Sequence, residues 1–530
     1  MQQKKYVLAI DLGTSSTKVI LLSSRGELIG ATSEKIALHL LEGGGAEQNP
    51  NDWWKASLNA TKRLLQDITI DKKEIVAIAC TGQWAGTVPM NKQGQHLMNA
   101  MIWLDARGGP CARKTIGGFP KVQGYNAWKL WKWIQRTGGA PSPSGKDSLA
   151  HILYIKEHLN NIYQDTYKFL EPKDYLNYKW TNKMVSTYDT MTLHWVTDCR
   201  DISNIKYDSQ LLKMTGIDRE KLPDMIAATD VVGSITEELA LELGLSTEVQ
   251  VVGSSPDLQS ILIGAGAVED YQTNLCIGTS TFMSMHVPYK KVDVLHNIAT
   301  FPASIPNKYF IACEQQTSAI CLSFLKNLFL LEKKDLTQLE EEQDQKIYQY
   351  FDELVTQTPV GSNQVLFTPW LNGERCPVED PYIRGGFHNL SLTTSRGEMV
   401  RAVYEGVALN ARWLWQYVSK FSPKQKDKPM TITGGGANSA VWCQIFADVL
   451  GCPIQQAQDP SLANAKGAAM IALDGLGLAT FVEMSATMSY QNVFYPDPKN
   501  QLVYNRLFKV FVDLYKKNKP VYYHLNLATT

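Results

Sequence analysis

Two stretches half a chain apart carry the same pattern, and no other feature narrows the possible folds so far. From Tyr6 the sequence reads YVLAIDLGTSSTKVILL, and from Tyr271 it reads YQTNLCIGTSTFMSM. In each, β-branched and aliphatic residues flank a short turn opening with Gly-Thr-Ser, the composition of strand, tight turn and strand. Around the first turn, Asp11, Gly13, Thr14, Ser15, Ser16 and Thr17 bring together one carboxylate, four hydroxyls and flexible backbone, a set suited to phosphate oxygens and a hydrated metal ion. Taken alone, an ordinary hairpin with a solvated turn accounts for this stretch equally well. Its recurrence around Gly278 implies an internal duplication: two related α/β domains, divided as 1–266 and 267–530, whose turns face each other across a nucleotide-holding cleft.

Length agrees, since 530 residues exceed what one core supports. Basic and acidic residues balance at 52 each with no block of like charge, which argues against nucleic acid or a membrane surface as partner. No apolar run approaches the roughly 18 residues of a membrane span. The start MQQKKYVLAIDLG reaches an Asp before any secretion-type apolar core develops, so a cytoplasmic location is expected. The nine cysteines form no C-x-x-C pair, which leaves buried free thiols as the default.

Between and after the hairpins, several segments offer chemistry. Pro50 to Asp67 reads as an amphipathic helix capped by Asn51 or Asp52, and Glu74 to Cys80 as a buried strand delivering Thr81-Gly82-Gln83-Trp84 to a sheet's carboxyl edge, where α/β proteins bind ligands. Gln83 can hydrogen-bond hydroxyls and Trp84 can lie against a sugar face. Asp105 and Arg107 either contact sugar hydroxyls or form an ion pair that fixes a loop. Residues 108–148 show weak periodicity and read as a mobile loop, a lid or a dimer contact. Within them Ser144-Gly145-Lys146-Asp147 fails as a phosphate-binding loop because Asp147 stands where a hydroxyl should hold magnesium. Helical patterning resumes over Leu149 to Leu159 and again from Asp174-Tyr175. The strand Val249 to Gly253 leads into Ser254-Ser255-Pro256-Asp257-Leu258-Gln259. Here Ser255 as N-cap, Pro256 at the first helical position and Asp257 in the first turn describe any helix start, while the same geometry would present Asp257 to a crevice as a charged base. Met430 to Thr433 leads into Gly434-Gly435-Gly436-Ala437-Asn438-Ser439 and a helix stopped by Gly451 and Pro453; the glycines let backbone lie against a planar base, with Asn438 or Ser439 at its edge.

The segments DLGTSSTK, WLDARG, CIGTSTF, FTPWLNGERCP, RGGFHNLSL and GGGANSAVWCQIFADVLGCPI, together with the Asp257 stretch, resemble in order the FGGY carbohydrate kinases, nearest their xylulokinase branch. That resemblance implies two actin-like domains of the ribonuclease H type with a central cleft, and transfer of the γ-phosphoryl group of ATP, with Mg2+, to a sugar hydroxyl. D-xylulose giving D-xylulose 5-phosphate is the first expectation, with ribulose, another pentose or polyol, glycerol or gluconate as alternatives. It implies Asp11 at the metal, Thr14 and Ser15 facing the β- and γ-phosphates with Ser16 and Lys18 beside them, and Gly278 and Thr279 as the second phosphate turn. It further implies Gly435, Gly436, Asn438 and Ser439 at adenosine and Asp257 as general base, with Gln83, Trp84, Asp105, Arg107, Asp257 and Gln259 around the sugar. The chain departs from the family's pattern at Ser254-Ser255-Pro256, where glycines are usual, at Leu258, at Trp84, at Asn389 and in a weak first signature over His151 to Glu157. An ATP-driven switch protein of the same fold and a non-catalytic sugar sensor are the competing classes.

Overall fold

The computed structural model describes residues 4–329, 341–422 and 428–527. In the first half, β1 (Tyr6–Leu12), β2 (Ser16–Ser23) and β3 (Leu28–Lys35) form an antiparallel meander, followed by helix α1 (Pro50–Asp67) and strand β4 (Ile75–Gly82), which lies parallel to β1. Helices α2 (Gly109–Ile116), α3 (Ala127–Thr137), α4 (Ser148–His158) and α5 (Pro172–Thr181) come next. Strands β5 (Val231–Ser234) and β6 (Gln250–Val252) then complete the sheet, and α6 (Asp257–Gly264) closes the half. The strand order is β5-β6-β4-β1-β2-β3.

The second half opens with the hairpin β7 (Thr273–Ile277) and β8 (Thr281–Val287) and adds β9 (Ala299–Pro302) and β10 (Tyr309–Ala312). After helices α7 (Glu341–Gln357) and α8 (Arg396–Val418) come β11 (Met430–Thr433), α9 (Ala440–Leu450), β12 (Ile454–Ala457), α10 (Ala463–Gly475), β13 (Tyr490–Phe494) and α11 (Pro498–Asn526). Its sheet runs β9-β10-β8-β7-β11-β12-β13. Laid over the first sheet, β7 and β8 take the places of β1 and β2, with β11 parallel to β7 and β12 parallel to β11, as β4 is to β1 and β6 to β4. Both edges beyond that parallel core carry an antiparallel strand, β5 and β13. The duplication read from two turns therefore extends over six strands of each sheet. Among the described residues no helix is long and apolar enough to cross a membrane.

A central strand covered on both faces must be apolar on both, and β1 is: Val7, Leu8, Ala9, Ile10 and Leu12 are fully buried. Leu8, Ile10 and Leu12 meet Trp53, Ala56, Ala60 and Leu64 of α1. The opposite face, Val7 and Ala9 with Ala77 and Ala79 of β4, is covered by Ala465, Ala468, Ala469 and Ala472 of α10, a helix from the second half of the chain. Small side chains on both surfaces allow this close approach. The crossing of α10 with α6 is tighter still: a Cβ at Gly467 would stand 1.8 Å from the Ser260 carbonyl oxygen, and one at Gly264 1.8 Å from that of Ala463.

Four local readings are corrected. Helix α1 is capped by Asn49, whose side chain accepts from the Asn51 amide with Pro50 at the first position, two residues before Asn51 and three before Asp52. Helix α6 begins at Asp257 with no side-chain cap, because the Ser255 hydroxyl is turned to Ser260, 2.8 Å away, inside the protein. The strand read from Glu74 begins at Ile75, since Lys72–Glu74 form a 3-10 turn. Residues 108–148 are not a bare loop: α2 and α3 lie there, α3 capped by the Asn126 side chain and ended by left-handed Gly138. Its periodicity is obscured because Trp128 and Trp131 face solvent while only Trp133 of the three is fully buried.

The α6–α10 crossing yields a direct test. Gly467→Ala places a methyl group against backbone that cannot rotate away, and unfolding in urea should show a loss of at least about 2 kcal/mol. A variant within about 0.5 kcal/mol of wild type would show that the two helices separate freely.

Candidate active site

Between the two halves lies a cavity of about 920 Å³. The turn of the β1–β2 hairpin reaches it through Thr14, and the β7–β8 turn through Gly278, Thr279 and Ser280. The turns are closed alike, by Gly13 N–H donating to the Ser16 carbonyl and Gly278 N–H to that of Ser280, both at 3.0 Å. Trp84 and Trp103 line the wall beside them, and Asp257 with Leu258 from the start of α6 forms the floor. Ser254, just before α6, is left-handed at φ +58°, and its buried hydroxyl finds no partner. That strained corner aims Asp257 at the cavity.

Asp257 Oδ1 accepts from the Leu258 amide at 2.8 Å. Burial pushes its pKa up to about 8, assisted by the carboxylates of Asp11 and Glu314. Asp11, on the last turn of β1, pairs across the hairpin with Lys18. Burial raises its pKa too, while Lys18 and Asn464 oppose the shift. Its Oδ2 accepts from Asn464 Nδ2 at 3.4 Å, and its Oδ1 is buried without a partner. A buried carboxylate oxygen without a partner suits a cation that keeps most of its water and is otherwise held by phosphate oxygens, the habit of Mg2+. Among the described residues no group of three His, Cys, Asp or Glu side chains could cage a metal without such help.

The other named residues divide between wall and frame. Thr14 Oγ1 accepts from Trp103 Nε1 at 3.0 Å, and its carbonyl accepts from Gln48 Nε2 at 2.7 Å. Gln83 is buried behind the turn, donating to Gln48 Oε1 at 2.7 Å, so it braces Thr14 through Gln48. Trp84 is held by a bond from its indole N–H to the Thr190 carbonyl and by edge contact with Phe301, presenting one border to the cavity. Of the two readings of Asp105 and Arg107, the ion pair is what forms: both Asp105 oxygens accept from the guanidinium, which also reaches Glu47 at 2.6 Å. Gln259 is fully buried and receives Ser304 N–H and Oγ–H at 2.6 and 2.8 Å. Gln83, Asp105, Arg107 and Gln259 are absent from the cavity lining, as are Asp11, Ser15, Ser16, Lys18, Gly435, Gly436, Asn438 and Ser439.

Beyond the first turn, Ser15 is exposed, Ser16 half-buried, and the Lys18 ammonium donates to the Ser461 carbonyl at 2.9 Å. Gly436 packs on Ile277, where a Cβ would stand 2.4 Å from Cγ2, whereas Gly435 faces open space and Asn438 is exposed. Ser439 caps α9 and donates to Asp352 at 2.8 Å.

Several cavity residues escaped the sequence reading: Lys146, Asp147, Trp195, Glu314, Arg375 and Asn464. Lys146 and Asp147 belong to the rejected phosphate-loop lookalike, and Asp147 caps α4 while receiving Trp195 Nε1–H at 2.9 Å. Burial holds Asp147 up at about 6. Arg375 lies in the FTPWLNGERCP segment and pairs with Glu314, so that motif was a usable signal.

The position of Asp257 has a measurable consequence. With a folded pKa of about 8 against an ordinary 3.8, the folded protein holds a proton that the unfolded chain releases, so this group costs stability increasingly as pH rises between those values. Asp257→Asn cannot ionise. Its Tm relative to wild type should therefore climb from pH 5 to pH 8, and an unchanging difference would show that the carboxylate is not held in a desolvated site.

Comparison with known proteins follows this geometry. Residues 6–264 match the N-terminal domain of the FGGY family of carbohydrate kinases, and residues 273–474 match its C-terminal domain. A xylulose kinase of Staphylococcus epidermidis is 29% identical, covering 98% of each chain, and a gluconokinase of Bacillus subtilis is 26% identical over 84% of this chain and 82% of its own. The crystal structure of gluconate kinase from Lactobacillus acidophilus superposes with a TM-score of 0.83 at 22% identity, covering 98% of this chain and 99% of its own, which shows the shared fold. With both domain models matched in order across most of its length, the chain belongs to the FGGY family of carbohydrate kinases, enzymes that phosphorylate a sugar with ATP.

Proposed function

We propose that this kinase, working in the cytoplasm as two domains of residues 1–266 and 267–530, phosphorylates D-xylulose to D-xylulose 5-phosphate. Relatives named xylulose kinase at 27–29% identity over nearly the whole chain favour this acceptor. The observation that carries the chemistry is that Asp257 and both glycine turns border one cavity. The two turns receive the phosphates, through Thr14, Ser15 and Ser16 with Lys18 beside them on one side, and Gly278 and Thr279 on the other. Gly435 and Asn438 lie against adenosine, with Gly436 and Ser439 fixing the turn that carries them. Trp84 covers one face of the sugar, while Gln83, Asp105, Arg107 and Gln259 hold the wall behind it. Mg2+ at Asp11, when bound, neutralises the charge of the transferring group.

Phosphoryl transfer through a loose transition state asks more for alignment than for a strong base. Asp257 Oδ1 is tied to the Leu258 amide, which leaves Oδ2 to orient the acceptor hydroxyl and take its proton as the bond to phosphorus forms. Domain closure over the 920 Å³ space expels water that would otherwise compete as acceptor.

Gluconokinases among the relatives make an aldonate the second reading. ADP release measured over ketoses, aldoses, polyols and sugar acids separates them: turnover should be highest with D-xylulose, and failure of every pentose alongside good turnover of gluconate or glycerol would overturn the assignment. With the preferred sugar, Asp257→Asn should lower kcat by roughly 10²- to 10⁴-fold while leaving ATP affinity intact. Thr279→Leu should weaken ATP far more than sugar; the reverse pattern would remove the second turn from the nucleotide site.

A further inference from the structure

The side chain of Asn464 is the least explained polar group in the cavity. It is the second residue of α10, past the N-cap position, and no side chain caps that helix. Its amide reaches instead to the opposite half of the molecule, bonding Asp11 Oδ2 at 3.4 Å across 453 positions of sequence. A carboxylate only accepts hydrogen bonds, so the nitrogen of the amide must face Asp11 and the amide oxygen must turn away. That oxygen is buried and has no partner, like Asp11 Oδ1 beside it. Two orphaned acceptors on hydrogen-bonded residues, one charged and one neutral, match an ion that arrives with its own water protons.

We propose that Asn464 is a positioning residue for the metal site: its N–H fixes the rotation of the Asp11 carboxylate, and its carbonyl oxygen accepts from a water carried by the divalent cation. This inference rests on the reading of Asp11 as the metal carboxylate. The segment leading into Asn464 supports it independently. The Pro460 carbonyl accepts from Gly434 N–H of the glycine turn at 3.1 Å, and the Ser461 carbonyl accepts from Lys18 Nζ at 2.9 Å. One short stretch thus touches the nucleoside end, the first phosphate hairpin and Asp11, so seating the nucleotide and aligning the metal carboxylate are mechanically joined. Partners that hold a metal ligand or its water in place typically govern 10- to 100-fold of metal affinity.

The test uses the full chain with ADP and reads free Mn2+ by electron paramagnetic resonance, so that binding is measured apart from turnover. Asn464→Ala should weaken Mn2+ in the ADP complex by about tenfold or more, with the Tm of the free protein and the KM for sugar at saturating metal unchanged. Asn464→Asp keeps an oxygen in the same place and adds charge, so it should bind Mn2+ at least as tightly as wild type. A role confined to packing α10 gives no such opposition of sign. Should either variant fail to fold, the other still decides. Asp11→Ala separates the two layers of the argument. If it abolishes Mn2+ binding while Asn464→Ala leaves it unchanged, Asn464 has no part in the site; if Asp11→Ala also leaves Mn2+ binding unchanged, the reading of Asp11 falls and the inference falls with it.

Discussion

The contact on which the site depends is the crossing of α6 and α10, where backbone meets backbone because Gly264 and Gly467 leave no side chain between them. At their amino-terminal ends the two helices carry Asp257 on α6 and Asn464 on α10. Any larger residue at the crossing would push the axes apart and move those two ends relative to each other. The same crossing seats α10 on the alanine-rich face of the first sheet, against the strand that ends in Asp11. Distances among the three groups are set by helix packing, not by flexible loops, which is the arrangement that alignment-limited chemistry needs.

Electrostatically the cleft is poised against itself. Burial holds Asp11 and Asp257 above the ordinary carboxylate range, and the charges of Asp11 and Glu314 add to the shift of Asp257. Lys146 and Arg375 face the same cavity, but Arg375 is already committed to Glu314, which leaves the acidic character dominant.

How much of this could be read from the chain follows from how local each signal is. Both hairpins were legible because strand alternation and a Gly-Thr-Ser turn are decided within a few residues, and the six-strand correspondence of the sheets grew from them. The strand at Met430–Thr433 and the helix ended by left-handed Gly451 were legible for the same reason. Helix starts slipped by one to three residues at Asn49 and Pro256: at α1 Asn49 caps ahead of Asn51 and Asp52, and at α6 the Ser255 hydroxyl is taken by Ser260. Helix α3 was hidden by tryptophans placed on its wet face. Asp105 and Arg107 had two sound readings, and the partner that completes their ion pair, Glu47, lies far away in sequence. Asn464 gave no signal at all, since its meaning lies in a partner at the other end of the chain.

The placement of α10 also bears on how the protein is made. Strands β1 to β6 leave the ribosome early, but the helix that covers their second face begins only at Ala463. At ordinary synthesis speeds that face, with Val7, Ala9, Ile20 and Val252 on it, waits on the order of tens of seconds for its cover. During that interval the nascent first half is a sheet with an open apolar surface, the form of intermediate that chaperones hold and that aggregates without them. A chain terminated before residue 463 would lose more than its second half: it would leave the first sheet in that uncovered form, so neither half of this duplicated protein is an independent inheritance of its own stretch of sequence.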